Sequence, residues 1–583
     1  MSLLLERLMG ILSLSWLTGP IFDKELRVSS RRRRNYVLRF AFVAAFTLLM
    51  MLIWLEVVAE DSSALYQSSR RARAGQLIVA FVVWFQFIAA QIVAVVMLST
   101  SISDEIYHRT LGLLMTTPVG SFQIVFGKLL SKLLQLVLLL AVTLPLLAIV
   151  RVLGGVPWEY VLCGLSVTLT TAVLIGSLSL FLSIFTRKAY SVIITAVFIL
   201  CVSFALVPLL SALLLDSVVP HRAFLEVLSY LNPFVLLFMA TNGLLSAQPM
   251  GLQYWPTYCG LALGASALLL FLATLLVRRA ALRQAVGQGV LLSPSRAGKL
   301  AAAGRRGASA RRVVGPAVLW KERRTPLLGK RRTVTLAGNG LGLALVLFTY
   351  ALCASRGILD EDGVQVSYVV VFVAFGMLYS TVLPATCVTA EKESRTWPLL
   401  LTTTVGDWEI AWSKLAGGLR RCLPAWLLLL GHLAIFVSAG IIHVIAIPQF
   451  FLLMVWIVFF LSSAGLYFST RFRHTTTAVV ANIALAAGLW LVGPLLVGIM
   501  LSVSGGGHGL FELCADFNPF VHAVIITGAT ANKGGLGLYD WAQGSMRDAS
   551  SATAWIALTF VVYTVLALMF VVRAATRLRR HPF

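Results

Sequence analysis

The sequence predicts an all-α polytopic membrane protein that crosses the bilayer about 12 times. Hydrophobic residues make up 59% of the chain and charged residues only 12%, about half the charged share of a soluble domain. Mean hydropathy is +0.90. Because lipid cannot hydrogen-bond to the backbone, apolar runs long enough to cross it, about 20 residues, must be helical. The alternation typical of an outer-membrane barrel is missing from the sequence.

The apolar runs form two sets of six. In the first set the predicted spans lie near residues 37–59, 76–100, 129–150, 160–185, 190–214 and 256–277. In the second set they lie near residues 334–354, 366–388, 422–440, 446–469, 477–502 and 553–573.

One polar stretch between the second and third spans of each set occurs twice, at residues 104–129 and 390–415. The residues that recur 286 positions later are Glu105, Arg109, Thr110, Leu113, Leu114, Thr116, Thr117, Val119, Gly120, Ile124, Lys128 and Leu129. This constant register predicts a 6+6 tandem duplication. We divide the chain into a first half (1–279), a flexible basic linker rich in Ala, Gly, Ser and Arg (280–314), and a second half (315–583).

The distribution of charge predicts the orientation. Most of the 47 basic residues fall in loops on the side of the N-terminus, which places both termini in the cytoplasm. Arg70, Arg71 and Arg73 disagree, because they fall in the first external loop. The formal net charge of +24 therefore follows from topology and requires no nucleic-acid partner.

The shared stretch is predicted to contain a short amphipathic helix. Ser103 is a good N-cap, and Glu105 and Arg109 have the spacing of a helical ion pair. A loop that only orients its neighbours is the alternative. In the second copy Pro398 replaces Gly112, so a broken or kinked helix and unequal sites are expected there.

Two further motifs recur. A basic segment precedes the first span of each half, with Lys24 and Glu25 in the first half and Lys321 and Glu322 in the second. It is predicted either to lie among anionic headgroups of the inner leaflet or only to set the topology. An Asn-Pro-Phe motif precedes the last span and predicts a turn or helix start; it comprises Asn232, Pro233 and Phe234, then Asn518, Pro519 and Phe520.

Absent motifs exclude several functions. The chain has no phosphate-binding loop, so we expect no ATP hydrolysis by the chain itself. The predicted spans contain almost no ionisable residue, whereas ion-coupled carriers place carboxylates there. His432 stands nearly alone, and we expect it to be hydrogen-bonded between helices. The seven cysteines show no metal-ligand spacing.

The pattern E-x3-R-T-x2-L-L-x-T-T, found with these basic segments, resembles the ABC-2 type permeases of ABC transporters, over nearly the whole chain in two copies. The resemblance implies an exporter subunit with two cytoplasmic coupling helices, which dock on two copies of a separate ATP-binding subunit. Those helices would contain Glu105, Arg109, Thr110, Leu113 and Leu114, and Glu391, Arg395, Thr396, Leu399 and Leu400. It also implies a connecting helix at each Lys-Glu pair and an external re-entrant gate at each Asn-Pro-Phe motif.

The same resemblance places ATP and Mg in the partner subunit, with no cofactor bound by this chain, and favours a bacterial plasma (inner) membrane. Membrane lipid surrounds the chain, and its charge-poor spans suit a lipid-like cargo. The alternatives are a secondary carrier of the major facilitator type, which also has 6+6 helices, and a polytopic membrane enzyme or scaffold. The sequence does not name the cargo or the ATPase.

Overall fold

A computed structural model describes most of the chain outside its N-terminal region and the segment between the halves. The described residues are 20–24, 27, 40, 44, 47, 51, 64–108, 110, 116–185, 189–215, 220–246, 251–285, 313, 315–324, 332–494, 509–531, 535–537, 539 and 548–580. Within these residues every regular element is a helix, as predicted. The chain divides into two compact units, Met1–Ser309 and Ala310–Phe583.

The helices of the first unit are α1 (Ala64–Ser99), α2 (Ser103–His108), α3 (Ser121–Gly154), α4 (Trp158–Ser183), α5 (Ala189–Cys201), a π-helical turn (Val202–Leu206), α6 (Val207–Leu215), α7 (His221–Leu231), α8 (Pro233–Leu245) and α9 (Trp255–Ala285). Helices α1, α3 and α9 pack around α4. Large side chains such as Phe87 and Tyr258 fill their core.

The helices of the second unit are α10 (Ala317–Arg324), α11 (Arg332–Ser355), α12 (Asp362–Val382), a 3-10 turn (Pro384–Thr386), α13 (Thr389–Glu393), α14 (Trp397–Leu401), α15 (Asp407–Ser438), α16 (Ala446–Arg471), α17 (Thr475–Ala487), a π-helical turn (Gly488–Val492), α18 (Gly509–Asp516), α19 (Pro519–Thr530) and α20 (Ala549–Arg577). Helix α16 packs against α20, and α12 packs against both α15 and α19.

Ten helices among the described residues are long and apolar enough to cross a membrane. They account for ten of the 12 predicted spans. The predicted span at 37–59 lies almost entirely outside the described residues. The one at 334–354 forms helix α11, but only its part Gly340–Ser355 counts as an apolar helix, and that part is too short for a full span. The protein is therefore an all-helical membrane protein, with 12 spans as an approximate number.

The third span of each half begins earlier than its hydropathy indicates. We predicted starts near residues 129 and 422, but α3 begins at Ser121 and α15 at Asp407. Each helix continues into the shared polar stretch, because Lys128 and Lys414 have ion-pair partners there and so can sit inside a helix without facing water. Both lysines therefore lie on a rigid helix rather than in a loop.

Candidate functional site

The shared stretch of the second half contains two short helices instead of one. Helix α13 ends in a Schellman-type turn: the Thr396 N–H bonds the Glu391 carbonyl at 3.0 Å, and the Arg395 N–H bonds the Lys392 carbonyl at 3.1 Å. Arg395 is left-handed, with φ of +57°. The broken helix expected for this copy is present, and Glu391 has no helical partner at Arg395.

The break does not come from the proline. Pro398 is the second residue of α14, where a missing N–H breaks no helical bond. The first copy has the same terminating bond, from the Thr110 N–H to the Glu105 carbonyl at 3.0 Å. In that copy Arg109, Leu113 and Leu114 lie outside the described residues, as does Glu25 of the connecting segment.

A network of five charged side chains joins three elements of the second half. Lys414 of α15 bonds Glu391 of α13 at 2.6 Å and Glu322 of α10 at 2.8 Å. Lys321 bonds Glu391 at 2.9 Å, and Arg421 bonds Glu322. We call Lys321, Glu322, Glu391, Lys414 and Arg421 the ionic network.

The centre of the ionic network is buried. The Lys414 side chain is 2% exposed and that of Glu322 is 5% exposed. Buried charges are tolerated only when they are paired with good geometry. Gly417 allows this approach, since a Cβ there would lie 2.9 Å from the Glu322 Cβ. The Lys-Glu pair of the predicted connecting helix is thus held directly against the third span.

The two residues after Glu391 attach α13 to two further spans. The Lys392 Nζ donates to the carbonyl of Thr470 at 2.5 Å and to that of Phe472 at 3.3 Å, at the C-terminus of α16. The Glu393 carboxylate accepts from the Thr475 N–H at 2.7 Å and from its hydroxyl at 2.8 Å, which caps α17. Helix α13 therefore contacts α10 and spans three, four and five of its half.

Sequence reasoning did not select Lys392 and Glu393. The repeat could not reveal them, because the equivalent positions in the first half are Ile106 and Tyr107. Sequence reasoning also missed Arg579. Its Nε bonds Asp407 at 2.9 Å, and its Nη2 donates to the Val405 carbonyl at 2.7 Å. The repeated lysines were the signal that could have identified the centre of the ionic network.

The first half has a smaller version of this arrangement. The Lys128 Nζ bonds Glu105 at 2.9 Å and donates to the Ser101 carbonyl at 2.8 Å. The Thr110 hydroxyl donates to the same Glu105 carboxylate. Burial raises the pKa of Glu105, but the positive charge of Lys128 and these hydrogen bonds outweigh it, so the pKa lies below its ordinary value.

We expect acid to weaken the first unit through Glu105. Because its folded pKa is below its unfolded pKa, its stabilising contribution is complete above the ordinary value of 4.5 and is lost as pH falls through the folded pKa. Tm of the purified full-length protein should fall less steeply below about pH 5 in Glu105→Gln than in the wild type. Equal slopes in the two proteins would contradict this assignment.

The outer side of the same stretch is open. Leu399 is 69% exposed, and Arg395, Thr396 and Pro398 are exposed beside it. Trp397, in contrast, is buried and anchors α14 against the unit. Of the predicted coupling residues, Glu391 thus points into the unit, whereas Arg395, Thr396 and Leu399 form a surface, with Leu400 partly buried.

Each Asn-Pro-Phe motif starts a helix, as the sequence indicated. Asn232 accepts from the Phe234 N–H at 2.9 Å and begins α8, and Asn518 accepts from the Phe520 N–H at 2.9 Å and begins α19. In the first half the chain bends by 118° at this point, between α7 and α8. A bend of this size is compatible with either a broken span or a re-entrant element.

His432 is hydrogen-bonded between helices, as predicted. Its Nδ1 lies 2.6 Å from the hydroxyl of Tyr350, which joins α15 to α11. Aromatic rings surround it, with Phe436 at 4.6 Å and Phe372 at 5.4 Å between ring centroids. These contacts are those of a buried packing residue.

Comparison with known proteins gives one family. Residues 20–281 match the family model described as "ABC-2 family transporter protein". The matched region contains the first copy of the shared stretch, with Glu105 and Lys128, and the first Asn-Pro-Phe motif. No curated protein matches the chain.

Proposed function

We propose that the chain, whose residues 20–281 match the ABC-2 transporter family, is an exporter permease driven by separate ATP-binding subunits. The match supports a membrane permease of an ABC transporter that associates with such subunits. The proposal adds the direction of transport, two docked copies of the subunit, and coupling through the two copies of the shared stretch. ATP and Mg would bind in the partner, so hydrolysis belongs to it.

The observation that carries the proposal is the attachment of α13. Through Glu391, Lys392 and Glu393, this one short helix contacts α10, α15, α16 and α17. A displacement of α13 would therefore move the cytoplasmic ends of three spans together. A loop that only orients its neighbours would not need bonds from charged side chains to every one of them.

The surface of α14 supports docking of a partner. Leu399, Arg395 and Thr396 combine an exposed apolar side chain with a charge and a hydroxyl. Interfaces between proteins typically have an apolar centre and a polar rim. In the proposed cycle, closure of the ATP-binding subunits pushes this surface and the ionic network transmits the push to the spans. Spans poor in charge favour a lipid-like or amphiphilic cargo in a plasma membrane.

A pull-down tests this proposal. The tagged protein is purified from native membranes, and ATPase activity is assayed in the eluate. We expect an ATP-binding subunit to co-purify with the wild type and to be lost from the variant Arg395→Glu/Leu399→Asp, because a charge replaces the apolar centre. The matched control is Arg580→Glu, an exposed charge reversal on the C-terminal segment, which should retain the subunit.

Two outcomes would contradict the proposal. Retention of the subunit by Arg395→Glu/Leu399→Asp would remove α14 from the docking surface. Absence of any ATPase from the wild-type eluate, with and without nucleotide, would favour the secondary carrier.

A further inference from the structure

The fifth span of each half is interrupted by a proline beside a π-helical turn. Pro208 follows the turn Val202–Leu206, and Pro494 follows the turn Gly488–Val492. A proline has no N–H to give to the carbonyl four residues earlier. In these spans that carbonyl belongs to Phe204 or to Trp490.

The asparagine of each Asn-Pro-Phe motif supplies the missing donor. The Asn232 amide donates to the Phe204 carbonyl at 2.7 Å, and the Asn518 amide donates to the Trp490 carbonyl at 2.7 Å. An unpaired carbonyl in an apolar environment is costly. In both halves, the carbonyl that lacks its helical donor because of the proline is thus hydrogen-bonded by an asparagine of another element at the same distance.

Each asparagine uses both ends of its amide. While its nitrogen donates to the fifth span, its oxygen accepts from the Phe234 N–H at 2.9 Å in the first half and from the Phe520 N–H at 2.9 Å in the second. The proline, the carbonyl, the asparagine and the phenylalanine all recur 286 residues later. One side chain therefore joins the proline break to the first turn of α8 or α19.

We propose that Asn232 and Asn518 are positioning residues that fasten the start of α8 and of α19 to a hinge in the fifth span. Sharp bends in helices occur at prolines and π-turns, where helical hydrogen bonds are missing. Each asparagine bonds the fifth span at this break. The first turn of α8 or α19 therefore moves together with the part of the fifth span that carries Phe204 or Trp490. A role in transport rests on the proposed function; the hinge and its fastening do not.

The second half carries an additional link. The Trp490 indole donates to the Tyr563 hydroxyl at 2.8 Å, and that hydroxyl donates to the Phe517 carbonyl at 3.2 Å. Span six thus also connects the π-turn to the residues before Asn518. Loss of the asparagine should consequently have the larger effect in the first half.

A double-mutant cycle tests the fastening in the full-length protein in lipid nanodiscs. Asn232→Ser keeps a hydroxyl that can cap the Phe234 N–H but is too short to reach the Phe204 carbonyl. Pro208→Ala restores the N–H of residue 208. We expect Asn232→Ser to lower Tm by about 2–4 °C and to lower it less than half as much in the Pro208→Ala background. Equal losses in both backgrounds would overturn the proposal.

Asn482 provides the matched control. It lies in the fifth span, is buried, and donates its amide to the carbonyls of Thr381 at 2.8 Å and Leu461 at 3.1 Å, neither of which precedes a proline by four residues. Asn482→Ser should therefore lower Tm equally with and without Pro494→Ala. If Pro494→Ala reduced the Tm loss of Asn482→Ser as much as Pro208→Ala reduces that of Asn232→Ser, the effect would be a general one of removing a proline. That result would overturn the proposal.

A second measurement detects the motion. Spin labels at Thr195 on α5 and Leu209 on α6, two exposed positions on either side of the hinge, report the distance across it. Cys201, the exposed thiol, is first replaced by serine. The distance distribution should broaden in Asn232→Ser and narrow again in Asn232→Ser/Pro208→Ala. An unchanged width in Asn232→Ser would overturn the hinge. Neither measurement uses an ATPase, so both outcomes are independent of the pull-down.

Discussion

Lys414→Met is expected to destabilise the second unit by about 3–5 kcal/mol, because it leaves the buried carboxylate of Glu322 and the partly buried carboxylate of Glu391 without their shared cation. Lys414 lies 2.8 Å from Glu322 and 2.6 Å from Glu391. Methionine fills a similar volume, so the loss reports charge rather than a cavity. Two quantities are measured: Tm of the purified full-length protein, and the yield of monodisperse protein recovered from membranes.

Two variants control this result. Lys321→Met removes the other cation beside Glu391, but its side chain is 61% exposed, so the loss should stay below about 1 kcal/mol. Lys414→Met/Glu322→Gln/Glu391→Gln removes the three charges together and should recover most of the stability, since neutral amides are less costly to bury than carboxylates that have lost Lys414. Equal losses in Lys414→Met and Lys321→Met would show that burial of the ionic network is unimportant.

Gly376→Ala is expected to cost about 1–3 kcal/mol through overpacking. A Cβ at Gly376 on α12 would lie 2.5–2.7 Å from ring atoms of Trp426 on α15. That ring is fully buried, and its indole N–H donates to the Ser380 hydroxyl at 3.1 Å, so it cannot move without losing a hydrogen bond. The second and third spans would have to separate. Tm of the full-length protein measures the effect.

Gly431→Ala on α15 is the matched control. A Cβ there meets nothing within 4 Å, and alanine favours a helix interior over glycine by about 0.5–1 kcal/mol. Its Tm should therefore stay level or rise. Trp426→Phe, which removes ring volume, should recover part of the loss in Gly376→Ala. A drop in Gly431→Ala as large as that in Gly376→Ala would assign the effect to helix flexibility instead of packing.

Sequence reasoning predicted the helical class well, because few structures can span lipid. The apolar runs at 160–185 and 446–469 correspond closely to α4 and α16. It placed the third spans too late, at 129 and 422, since hydropathy treats a lysine as a water-facing residue. A hydropathy scale assigns the same penalty to every lysine, including one whose charge is paired inside the unit.

The candidate site was predicted only in part. The repeat directed attention to the stretch around Glu391, and Glu391 lies in the ionic network. It gave no signal for Lys392, Glu393 or Arg579, which differ between the copies or lie at the end of the chain. Each of them bonds at least one backbone group of a distant residue, and a backbone partner leaves no mark in the sequence.

The sequence by itself determined that this chain lies in a membrane, that it is helical, and which stretches recur 286 residues apart, because composition and spacing set these properties. Only the tertiary structure decided which acid pairs with which base. The spacing of Glu391 and Arg395 favours a helical ion pair, yet the left-handed turn at Arg395 ends the helix. Lys414, brought beside Glu391 by the packing of α15 against α10 and α13, forms the pair instead.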